Sequence, residues 1–192
     1  MSASQNREDE FTDRLAVAIG SLVKPHHVGR KRALLYDLSF DHKGNVTMGV
    51  DPDTGTPLRG RGRGFEQDIL IYDDSTDSHT SVVPRVVLEI KVGSVTTHDV
   101  IVYSEKADRI RRVYPYVRYG FILGGMANIP GRVLRLGQRF DFVATVSEHL
   151  PESEVAAFGE LLREEAAASI KMTELLFAKS RPKLVRKALV VR

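Results

Sequence analysis

Phe65-Glu66-Gln67-Asp68-Ile69-Leu70-Ile71-Tyr72 and Arg85-Val86-Val87-Leu88-Glu89-Ile90-Lys91-Val92 are two apolar, β-branched runs, each interrupted by charge. Polar and turn-forming residues from Asp73 to Ser81 separate them, so the stretch reads as two strands joined by a loop. Residues two apart on a strand point to the same face. Glu89 and Lys91 therefore project together, while Leu88, Ile90 and Val92 face the other way. Charged side chains are rarely buried without partners. A carboxylate and an ammonium on one face of an apolar strand, with Asp68 at the mouth of the strand before it, demand a chemical explanation.

Downstream, Thr96 followed by Asp99 has the spacing of a capping box. It predicts a helix to about Val113, with Val100, Tyr103, Ala107, Ile110 and Tyr114 on the inner stripe and Lys106, Arg109, Arg111 and Arg112 making most of the rest basic. Tyr114-Pro115 stops it. Val117 to Leu123 and Phe140 to Val146 read as strands. A long helix from Pro151 to about Lys179 carries Val155, Phe158, Leu162 and Ile170 inward, or alternatively presents an oligomer face.

Upstream, Phe11, Leu15, Ala18, Ile19 and Leu22 predict an amphipathic helix over Glu8 to Val23. Glu8 lies near that stripe, whereas Glu10 and Asp13 point away. Lys24 to Arg32 reads as a basic turn after Pro25; its adjacent His26 and His27 suit a phosphate-contacting or solvated turn better than a metal pair. Ala33 to Phe40 and Val46 to Val50 read as strands around a hairpin turn. Asp51-Pro52-Asp53-Thr54-Gly55 is a second turn, and its proline and missing terminal glutamate argue against a calcium loop. Arg59-Gly60-Arg61-Gly62-Arg63-Gly64 lacks the Gly-Lys-Ser/Thr of a Walker loop and reads as a linker or as a cationic loop for a polyanion.

The 192 residues suit one domain over 1–180 and a basic tail over 181–192. The absence of cysteine excludes disulfides, thiolate metal sites and Cys nucleophiles. A polar opening and the lack of any long apolar run predict a cytoplasmic protein with no membrane partner. Net charge is +3, but residues 171–192 carry seven basic residues against Glu174 alone. That asymmetry suggests nucleic acid as a partner.

An acid opening one strand, then Glu-x-Lys on the next, resembles the PD-(D/E)xK nuclease superfamily. Here it reads Gln67-Asp68 and Glu89-Ile90-Lys91, with 20 residues between the acids and Gln67 in place of the family's usual proline. The resemblance covers roughly residues 8 to 146. It implies an α/β fold with a restriction-endonuclease-like core: a central mixed sheet flanked by helices, in αβββαβ order, with a C-terminal helix added. It also implies a Mg²⁺-dependent DNA endonuclease of restriction or phage-defence type, with Mn²⁺ as a substitute ion and a homodimer as the form in which small nucleases of this kind often act. Asp68, Glu89 and the Ile90 carbonyl would hold the metal. Lys91 would orient or deprotonate water or stabilise the transition state. Glu8 either completes the acidic cluster or is a first-turn acid favouring the helix dipole. Arg59, Arg61, Arg63, Lys106 and Arg109 would contact DNA phosphates. The rival readings are a structure-selective, junction-resolvase-like nuclease, an inactive nucleic-acid-binding module of the same fold, and a mere surface ion pair between Glu89 and Lys91.

Overall fold

The structure, a computed structural model, describes residues 3–36, 39–40, 43, 46–47, 64–75, 82–179 and 183. The two apolar runs form β4 and β5 of a five-stranded mixed sheet. In chain order the elements are α1 (Ala3–Gly20), β1 (His27–Leu35), β2 (Ser39–Phe40), β3 (Val46–Thr47), β4 (Gly64–Asp74), β5 (Val82–Val92), α2 (Thr97–Val113), β6 (Arg118–Gly124), α3 (Gly131–Leu136), β7 (Phe142–Val146) and α4 (Glu152–Phe177). The sheet runs β1-β4-β5-β6-β7, with β2 and β3 as a separate two-stranded pair. β1, β4 and β5 are antiparallel neighbours, whereas β5, β6 and β7 run parallel through crossovers containing α2 and α3. Parallel strands need such crossovers, because a tight turn can only reverse the chain.

The sheet is covered on both faces. Leu88, Ile90 and Val92 pack with Phe11, Leu15 and Ile19 of α1 and with Phe158 and Leu162 of α4. On the other face Leu70, Val87 and Tyr119 meet Ala107 and Ile110 of α2, while Phe121 and Leu123 meet Val100 and Val133. The alternation expected along β5 therefore holds. In β6, Gly120 lies where a Cβ would run into the Phe142 ring, so a side chain here would exclude that aromatic.

Four expectations need correction. α1 begins at Ala3 rather than Glu8 and ends at Gly20 rather than Val23. The basic stretch His27 to Arg32 is not a turn but the first part of β1. It makes an edge strand, with Arg30 reaching Asp9 and Asp13 on α1 and Arg32 lying 4.6 Å over the Tyr72 ring. Ion pairing and stacking let a basic segment sit on a sheet edge. Ser169, not Ile170, takes the fully buried position late in α4. α3 was not foreseen: only Val133 of its six residues is buried, too little for a periodic signal. Among the described residues, no helix is long and apolar enough to cross a membrane.

Candidate metal centre

β4 and β5 pair from Asp74↔Val82 as far as Ile69↔Leu88, and there the ladder stops. On the other side of β4, pairing with β1 skips Lys31 and Asp68, and Lys31 has φ 53°. Phe65 packs on the α2 side although Ile69 and Ile71 pack on the α1 side, so the alternation of β4 reverses around Asp68.

Beyond this point the β5 backbone needs new partners, since a buried N–H left without an acceptor is costly. Two carboxylates supply them. Asp68 Oδ2 accepts from the Ile90 N–H at 2.8 Å, and Glu8 Oε2 accepts from the Val92 N–H at 3.4 Å. The N–H and C=O of an extended residue point to the same side. The Ile90 carbonyl therefore also faces the gap beside Asp68.

The lysine and the remaining acid are separately paired. Lys91 Nζ lies 3.3 and 3.4 Å from the two carboxylate oxygens of Glu8. Glu89, only 2% exposed, faces α2, where Lys106 Nζ stands 2.6 Å from its Oε1. The Tyr119 hydroxyl donates to that same oxygen at 3.2 Å and also approaches Gln67 Oε1 at 3.4 Å. Glu89 and Lys91 share a face as expected, and the rival reading of a surface ion pair between them does not hold: each pairs instead with another residue, Lys91 with Glu8 and Glu89 with Lys106. Glu8 is not a first-turn acid, because α1 starts at Ala3 and places it well inside the helix, opposite Lys91.

Burial governs the protonation of all three acids. It pushes Glu89 up to about 7, outweighing the Lys106 ammonium and the Tyr119 hydroxyl, with the nearby Asp68 charge acting in the same direction. Burial also raises Asp68, against the Ile90 N–H and the charges of Lys106, Arg30 and Lys91. Glu8 is raised by burial against Lys91. Tyr103 is raised too, first by burial and then by the charges of Glu89, Asp68 and Glu8. Burial thus makes all three acids hold their protons more tightly than usual, in spite of the cations beside them.

Among the described residues, no group of three or more His, Cys, Asp or Glu side chains is disposed to hold a metal ion. The available set is smaller. Asp68 spends Oδ2 and Glu89 spends Oε1 on the contacts above. The second oxygen of each, with the Ile90 carbonyl, makes a hard all-oxygen set of the kind Mg²⁺ accepts while keeping waters and phosphate oxygens. The donor chemistry fits that ion. Glu8, engaged with Lys91 and Val92, is a neighbour of the set rather than part of it.

Lys106 is not on the outward basic face expected of it. It is 12% exposed on the side chain, and its ammonium also donates to the Glu66 carbonyl. Its position between Tyr103 and Ile110 turns it towards the sheet. Arg109 is exposed, pairs with Glu105 and lies 5.9 Å over Tyr36. His26 and His27 go separately to Asp73 and Asp74. Arg59, Arg61, Arg63, the turn at 51–55 and all of the tail except Lys183 lie outside the described residues. Sequence reasoning missed Tyr119 and the inward role of Lys106. The signal available was a lysine three residues from the stripe position Tyr103; a tyrosine within an apolar strand gives none.

No protein-family model and no curated protein matches this chain.

Proposed function

We propose that this chain is a Mg²⁺-dependent DNA endonuclease with a restriction-endonuclease-like core, acting in restriction or phage defence. One observation carries the reading. Where β4 and β5 part, Asp68 takes the Ile90 N–H, Glu89 is near enough for its charge and that of Asp68 to act on each other, and Lys91 is close enough to act on Asp68. The order of the main elements, one helix, three strands (β1, β4, β5), α2 and β6, also supports it. So does the basic end of the chain, since sequence-independent affinity for DNA comes from cations on phosphates.

Bound at Asp68 and Glu89, Mg²⁺ would supply a Lewis acid for a phosphate oxygen and a coordinated water of lowered pKa. The chain's own residues do the rest. The Ile90 N–H fixes the Asp68 carboxylate, and the Tyr119 hydroxyl fixes that of Glu89. Glu8 holds the Lys91 ammonium near Asp68, where it would offset charge building up around phosphorus. Hydrolysis joins the water oxygen to phosphorus and breaks one phosphorus–sugar oxygen bond; the attacking water releases a proton to solvent, and the departing oxygen takes one up from it.

The test is incubation of purified protein with supercoiled plasmid. Nicked or linear product in Mg²⁺ and none in EDTA is expected. Intact plasmid in both Mg²⁺ and Mn²⁺ would contradict the reading.

A further inference from the structure

Lys106 is the most deeply placed cation of the cluster, and nothing in hydrolysis as derived above requires it. It comes from α2, not from the strands that carry the acids and Lys91. Its ammonium is held from two directions: by the Glu89 carboxylate at 2.6 Å and by the Glu66 carbonyl, on the approach to Asp68. Its stem passes the Phe65 ring, with Nζ 5.8 Å from the ring centroid. The ammonium thus sits against Glu89 and its charge acts on Asp68, so a divalent ion on the second oxygens of the two acids would stand beside a like charge.

We propose that Lys106 is a resident competitor for the metal: a tethered cation that neutralises Glu89 in the metal-free protein and must withdraw when a divalent ion takes the same carboxylate. This rests on the metal-centre reading above. An unpaired carboxylate buried this deeply would be strongly unfavourable, so the lysine lets the chain fold before metal arrives. The same contact opposes metal entry and sets a threshold concentration for loading. A ligand and a side chain that compete for one group are coupled, and each weakens the other by the same factor.

The experiment titrates MgCl₂ into wild type and into Lys106→Met by calorimetry, with thermal melts over the same Mg²⁺ series. It is run at pH 9, so that a proton does not take the ammonium's place. Methionine keeps the apolar stem and removes the charge. Half-saturation at roughly tenfold lower Mg²⁺ in the variant is expected, with a larger rise in melting temperature than in wild type. Binding by the variant alone would support the competitor role most strongly. Equal or weaker binding by the variant, with wild type binding normally, would overturn the role and leave the metal centre standing. Mg²⁺ binding by neither protein would overturn both. If Lys106→Met does not fold, Lys106→Gln serves instead, since its amide can donate to both Glu89 and the Glu66 carbonyl without charge.

Discussion

Glu89 concentrates the chemistry of the cluster because burial and pairing act on it in opposite senses. Its proton affinity in the folded chain, about 7 against 4.5 unperturbed, shows that burial dominates. A carboxyl raised on folding contributes stability that is full below the unfolded value and is lost as pH rises through the folded one. In EDTA, the stability of wild type relative to Glu89→Gln should therefore fall by up to about 3 kcal/mol between pH 4.5 and 7, and then level off. Denaturant melts at a series of pH values would measure this, and a flat difference would remove burial as the governing force. At this scale the sequence was partly legible. Asp68, Glu89 and Lys91 stand out because charge inside a β-branched run is conspicuous. Their partners do not, because Lys106 and Tyr119 come from elements 15 or more residues further along the chain and only folding brings them in.

Among the elements, α2 does most to position the site from outside the acidic strands. Its start is set by a capping box: the Asp99 N–H donates to Thr96 Oγ1 at 3.1 Å, and the Thr96 N–H donates to Asp99 Oδ2 at 2.8 Å. Thr96→Ala removes half of this exchange and should cost about 1 kcal/mol of stability. The Mg²⁺-induced rise in melting temperature should not change, because Lys106 lies three turns further along. A variant without that rise would tie the helix start to the metal site. This helix was readable from the sequence because both its cap and its apolar spacing are local. β5 was readable for the same reason, its charges being placed at alternate positions. β1 was not, since a run holding Arg30, Lys31 and Arg32 looks like a solvated turn until Asp9, Asp13 and Tyr72 are set against it. The parting of β4 from β5 was invisible too, as it depends on a reversal of facing that no composition encodes.

For the whole molecule, the proposed function asks the charge distribution and the acidic cluster to work together: the cations would gather phosphate and the acids would hold the metal. Deleting residues 181–192 removes Arg181, Lys183, Arg186, Lys187 and Arg192. If the tail binds DNA, the slope of log affinity against log salt should flatten by about 0.9 for each phosphate that the tail neutralises. An unchanged slope would assign the tail another task. The central claim concerns Asp68, whose replacement by Asn keeps an oxygen for the Ile90 N–H and removes a charge that burial already disfavours. The metal-free variant should be no less stable than wild type. The most direct measurement is the rate of plasmid cleavage in Mg²⁺ by wild type and by Asp68→Asn, with melts confirming that both are folded. A fall on the order of 10²-fold or more, the rate cost of forfeiting a few kcal/mol of metal stabilisation, is the predicted result. Cleavage by the folded variant at the wild-type rate would contradict it.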